Sequence, residues 1–137
     1  MMQLSHYPAA LGQALAEGIA QAAQRANEID SQLMAVQHQV NRFEGNADRT
    51  AAFEMDLKND AQRKARRFEV LLVNQEYQKA IDTQIRLTVD KANAIAHLEY
   101  LRNQFSVAKL EARLAWLAAV GIAQQLSDFE SRELVGL

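Results

Sequence analysis

Residues 76–124 read EYQKAIDTQIRLTVDKANAIAHLEYLRNQFSVAKLEARLAWLAAVGIAQ, a stretch without proline, rich in Ala, Leu, Gln, Lys and Arg, and interrupted only by Gly121. These are good helix formers, so the stretch predicts one helix from about residue 75 to 124. At about 1.5 Å per residue that helix is roughly 70 Å long, more than a compact domain of this mass spans. Its apolar face therefore needs a partner along most of its length. Within it, Tyr77, Ile81, Ile85, Val89, Ala92, Ile95, Leu98, Leu101 and Phe105 form a stripe that drifts around the axis. From Leu110 onward the apolar surface widens through Leu114, Trp116, Leu117, Val120 and Ile122 until it nearly encircles the helix. A helix that is apolar all round must be buried on several sides, which makes this end a candidate oligomer or partner interface.

Upstream, a helix is expected from about Tyr7 to Glu44, with Pro8 suited to its first turn. Ile19, Ala26, Leu33 and Val40 fall at heptad position a, and Ala22, Ile29, Val36 and Phe43 at d. That alternation of three and four is the pattern of a coiled-coil seam. Ile19, Ile29, Leu33, Val36, Val40 and Phe43, together with Leu114, Trp116, Leu117 and Ile122, are accordingly expected at an oligomer interface. The flanking Arg25, Asp30, Gln32, Gln37 and Gln39 carry few opposed charges, so ion-pair specificity at that seam would be weak. Gly45 is placed to end the helix as a left-handed C-cap. Shorter helices are expected over 48–73, with Asn59 or Asp60 as a cap and Ala61, Ala65, Phe68 and Leu72 on the core face. Arg63, Arg66 and Arg67 would then point outward. Asn74 is an adequate N-cap for the long helix, and Ser127-Asp128-Phe129-Glu130 makes a capping box for a short final helix over 128–135. The fold class is all-α: a long-helix coiled coil or helical hairpin bundle, one domain over 1–137, completed by oligomerisation.

The 137 residues are 49% hydrophobic, but alanine supplies much of that and buries little area per residue. Self-association would add the missing burial. There is no cysteine, which excludes disulfides and thiolate metal sites and fits a cytoplasmic protein. The first residues lack the basic and apolar regions of a signal peptide, and no apolar run reaches the ~18 residues of a membrane span. Charge is uneven: Lys58 to Arg113 holds eleven Lys or Arg against seven Asp or Glu, and the remainder four against ten.

Catalytic constellations are scarce, and the chain reads as a non-enzyme without cofactor. His6, His38 and His97 lack metal-ligand spacing, and no phosphate loop or nucleophile elbow is present. Glu54, Asp56 and Asp60 form the one acidic cluster, for which helix capping is a stronger explanation than a metal. Lys58, Arg63, Lys64, Arg66 and Arg67 place five positive charges within ten residues. Such a cluster suits phosphate backbone, acidic protein or plain solvation. Lys109 and Arg113 add a thinner basic stripe. Aromatics able to stack on bases are few, and only Tyr100 looks exposed, so backbone binding to single strands is favoured over base reading.

Leu110-Glu111-Ala112-Arg113-Leu114-Ala115-Trp116 resembles the short Leu-Lys-Ala-Arg-Leu-Asp-aromatic run of the phage recombination mediators of the UvsY type. Leu110, Ala112, Arg113, Leu114 and the aromatic at Trp116 match; Glu111 stands where that family has a basic residue, and the run falls late in this chain. The resemblance implies a ring-like oligomer that binds single-stranded DNA and helps load a recombinase. Two functions are thus in view: an oligomeric binder of single-stranded nucleic acid working with recombination proteins, and a coiled-coil interaction module, scaffold or inhibitor without nucleic acid.

Overall fold

The computed structural model describes the backbone of residues 2–136 and the side chains of residues 9–136. It is all-α, with α1 over Met2–Phe53, α2 over Asp60–Val73 and α3 over Gln75–Val135. Contacts group the chain into two compact units, Ala22–Ala96 and the residues up to Gln21 together with those from His97 onward, where sequence pointed to one domain. In a pair of helices each residue meets only the few opposite it, so contacts stay local along the length.

In the Ala22–Ala96 unit, α1 and α3 form an antiparallel hairpin. Ile29 and Leu33 of α1 bury against Leu87 of α3, with Val36 and Ala94 packed around them. Nearer the turn, Phe43 meets Tyr77 edge-on at 6.2 Å between ring centroids. As numbers fall along α1 they rise along α3, and the heptad read from α1 is the seam of this pair. Ile29, Leu33 and Val40 are buried, and Val36 and Phe43 half-buried, within one chain. These residues were expected at an oligomer interface; their partner is the chain's own α3.

The matching stripe on α3 is regular. Buried or half-buried positions in this unit include Tyr77, Ala80, Gln84, Leu87, Lys91 and Ala94, a strict alternation of three and four. Of the drifting stripe expected from sequence, Tyr77, Ile81, Leu98, Leu101 and Phe105 are buried or half-buried, but Ile85 is 61% exposed and Val89 54%, because the seam there takes smaller and polar residues instead. Lys91 enters the seam by reaching Asp30 on α1 at 2.6 Å, which keeps its ammonium paired and half in water.

Gly45 does not end α1. No positive φ occurs among the described residues, and the helix runs eight residues further. A mid-helix glycine costs about 1 kcal/mol relative to alanine. That cost is outweighed by anchors on both sides of it: Phe43 and Glu44 on Tyr77, and Asp48 on Arg67 of α2. Asn59 caps α2, accepting from the Gln62 N–H at 2.9 Å. Asn74 both ends α2 in an extended conformation and caps α3, accepting from the Tyr77 N–H at 3.1 Å.

In the second unit, Gly18 lies against Leu101, and Leu11 and Leu15 share a groove with Tyr100, Gln104, Val107, Ala108 and Glu111. Leu98 is buried, while Ile19, Leu101, Phe105, Ala108 and Ala112 are half-buried. The expected stop near residue 124 and the separate helix over 128–135 are replaced by one continuous helix to Val135. No proline or paired glycine interrupts residues 122–135, so Ser127 has no free N–H groups to cap. The expected start of α1 at about Tyr7 moves out to Met2.

Candidate functional site

Two surfaces proposed from sequence, the basic cluster and the apolar end of α3, fare differently. On α2 Arg63 is exposed as expected, but the rest of the two faces is exchanged. Arg66 and Arg67 are half-buried toward α1, while Phe68 is 66% exposed and Leu72 58%, with Ala61 and Ala65 exposed beside them. The inward side of α2 carries Leu71, its one buried residue, with half-buried Val70, and ion pairs add to that burial. Late α1 offers Glu44 and Asp48, and Glu54 follows its end: Arg66 donates through Nε to Glu54 at 3.0 Å, and Arg67 ion-pairs with Asp48 and with Glu44 at 3.9 Å. Arg66 also reaches Glu69, and Arg63 reaches Asp60, each at 3.4 Å. Arginine's planar fork suits such multiple carboxylate contacts, and its stem covers apolar surface as it crosses. Three of the five clustered cations are therefore joined to the chain's own carboxylates. Lys58 and Lys64 are exposed without an ion-pair partner among the described residues.

Beside this cluster, Tyr77 lies where α1 meets the first turn of α3. Its hydroxyl donates to Glu44 at 3.0 Å. Burial first, then the hydrogen bond and charge of Glu44, push the phenol up from its ordinary value of 10.0, with Arg67 opposing. Glu44 thus joins Arg67 of α2 to Tyr77 of α3.

In the other unit, Lys109 sits over the Phe105 ring at 4.9 Å from its centroid, and Arg113 is exposed without an ion-pair partner among the described residues. Tyr100 is exposed, as expected, and its hydroxyl accepts from Gln104 at 3.0 Å. After Ala112 every described residue of α3 is exposed. Leu114, Trp116, Leu117, Val120, Ile122, Leu126, Phe129, Leu134 and Val135 all stand in solvent, Trp116 at 64%. Of the interface residues expected here, Leu114, Trp116, Leu117 and Ile122 are thus free to meet another chain. Sequence reading left out Leu126 and assigned Phe129 to a separate helix. The signal that includes both is the seam spacing carried onward from Ala112.

Among the described residues no group of His, Asp and Glu is gathered as a metal site would be, and no helix is long and apolar enough to cross a membrane. No protein-family profile, curated protein or solved structure matches the chain.

Proposed function

We propose that this chain is a non-enzymatic, cytoplasmic assembly subunit: a helical hairpin that joins other protein chains through the bare apolar end of α3. The observation that supports this is the run from Leu114 to Val135, helical throughout and exposed at every residue. Burying one large aliphatic or aromatic side chain is worth about 1.5–3 kcal/mol, so this end holds a large unused driving force. Contiguous apolar patches on soluble chains mark interaction sites. Light scattering across a dilution series tests the reading. A mass above one chain is expected at micromolar protein, falling to one chain in the Leu117→Glu/Leu126→Glu double variant with helicity kept. A wild-type mass of one chain at every concentration would overturn it.

A second reading, a binder of single-stranded DNA that assists recombination proteins, is favoured by one observation. Lys58, Lys64, Lys109 and Arg113 stay exposed and unpaired among the described residues, and Arg113 lies in the run that resembles the phage mediators. It predicts binding of a labelled oligonucleotide at low salt that weakens as salt rises and is lost when these four are neutralised. Absence of binding at micromolar protein removes it and leaves the first reading standing. Arg63, Arg66 and Arg67, expected from sequence to carry that contact, would first have to release their carboxylates.

A further inference from the structure

We infer that the occupant of the bare α3 end is the same segment of a second copy, packed antiparallel about Ile122. This deepens the assembly-subunit reading and rests on it. The intrachain seam of this unit uses Leu98, Leu101, Phe105, Ala108 and Ala112. Carried forward at the same spacing, it meets Ala115, Ala119, Ile122, Leu126 and Phe129, every one apolar and exposed. An established helix-pairing surface therefore runs on into residues that are exposed.

The order of side-chain sizes along that surface selects the partner. In a twofold antiparallel pair centred on Ile122, Ala115 falls opposite Phe129 of the partner subunit, Ala119 nearly opposite Leu126 of the partner subunit, and Ile122 meets its own counterpart. Small residues face large ones on both sides of the axis, which is how facing layers interdigitate at native density. Charge agrees. Glu111 and Arg132 flank the seam at equivalent heptad positions, placed within one residue of symmetry about the same centre, and neither has an ion-pair partner among the described residues. Antiparallel pairing brings Glu111 to Arg132 of the partner subunit, twice by symmetry. Parallel pairing would stack Ala115 and Ala119 on themselves and leave both charges unanswered. Leu114, Leu117 and Val120 lie off this seam, so the pair is the first contact of the assembly.

The absence of cysteine allows a clean test on the full chain. Under mild oxidation Ile122→Cys is expected to form a disulfide-linked dimer. Ala115→Cys alone and Phe129→Cys alone are not, because like positions stand about 20 Å apart along the axis, beyond disulfide reach. Mixing those two variants is expected to link them to each other. Glu111→Arg or Arg132→Glu is expected to raise the dissociation constant roughly fivefold, and the double exchange to restore it. Linking by all three single variants would overturn the inference in favour of parallel pairing. A multimer that Ile122→Cys leaves unlinked would overturn it while the assembly reading stands, and a single-chain mass for the wild type would remove both.

Discussion

Tyr77 is the residue at which the hairpin's chemistry is most concentrated, because its ring packs on Phe43 and its hydroxyl donates to Glu44. The folded phenol holds its proton more tightly than the unfolded one, which titrates near 10.0. Its contribution is therefore complete below about pH 10, where both states are protonated, and is lost as pH rises through the folded value. Thermal melts are expected to show the melting temperature falling above about pH 10, and Tyr77→Phe should make that fall shallower while costing about 1 kcal/mol at neutral pH. Gly45 gives an opposite kind of result. A Cβ built there meets nothing within 4 Å and the residue is helical, so Gly45→Ala should stabilise the chain by about 0.5–1 kcal/mol in chemical denaturation. Were Gly45 a left-handed cap, the same substitution would destabilise. The sequence offered only the glycine itself; the anchors that carry α1 past it, Phe43 on Tyr77 and Asp48 on Arg67, are long-range contacts.

At the scale of the elements, α1 was legible and its partner was not. Its seam is written in Ile29, Leu33, Val36 and Val40, residues whose spacing alone identifies a heptad. On α3 the seam is Ala80, Gln84, Leu87, Lys91 and Ala94, while Ile85 and Val89 face water. Hydrophobicity pointed correctly to Tyr77 and Ile81, which are half-buried, and wrongly to Ile85 and Val89. Leu87→Ala is expected to cost about 2–3 kcal/mol and Val89→Ala under about 0.5 kcal/mol, a contrast that urea denaturation of the two variants reads directly. The α2 orientation was missed for a related reason. Glu44 and Asp48, four apart on α1 with Glu54 six further on, are the sequence signal for an acidic face that draws Arg66 and Arg67 inward. Arg67→Met keeps the stem and deletes the charge. Its expected cost is about 1 kcal/mol by thermal melting, consistent with ion pairs that remain partly in water.

For the molecule as a whole, the long-helix, all-α architecture was visible in composition and periodicity, whereas the allocation of apolar surface was not. Residues assigned to contacts between chains, Ile29, Leu33 and Val40, close the hairpin instead. Surface assigned to the hairpin's own interior, Phe68 and Leu72 on α2, is left outside. The apolar end of α3, marked in the sequence as a candidate interface, stands exposed, and it extends further than the sequence indicated, because the capping box at Ser127 suggested a break that uninterrupted helix formers never make.

That uncovered end also behaves as a clock for proteolysis. A helix held by its backbone ladder alone opens locally at small cost, and cleavage follows the open fraction. Trypsin should therefore nick after Arg113 and Arg132 well before it cuts after Lys91, whose side chain is tied to Asp30. Diluting the protein before digestion should hasten the first two cuts and leave the third unchanged, turning the rate of a single nick into a measure of how much of the chain stands alone.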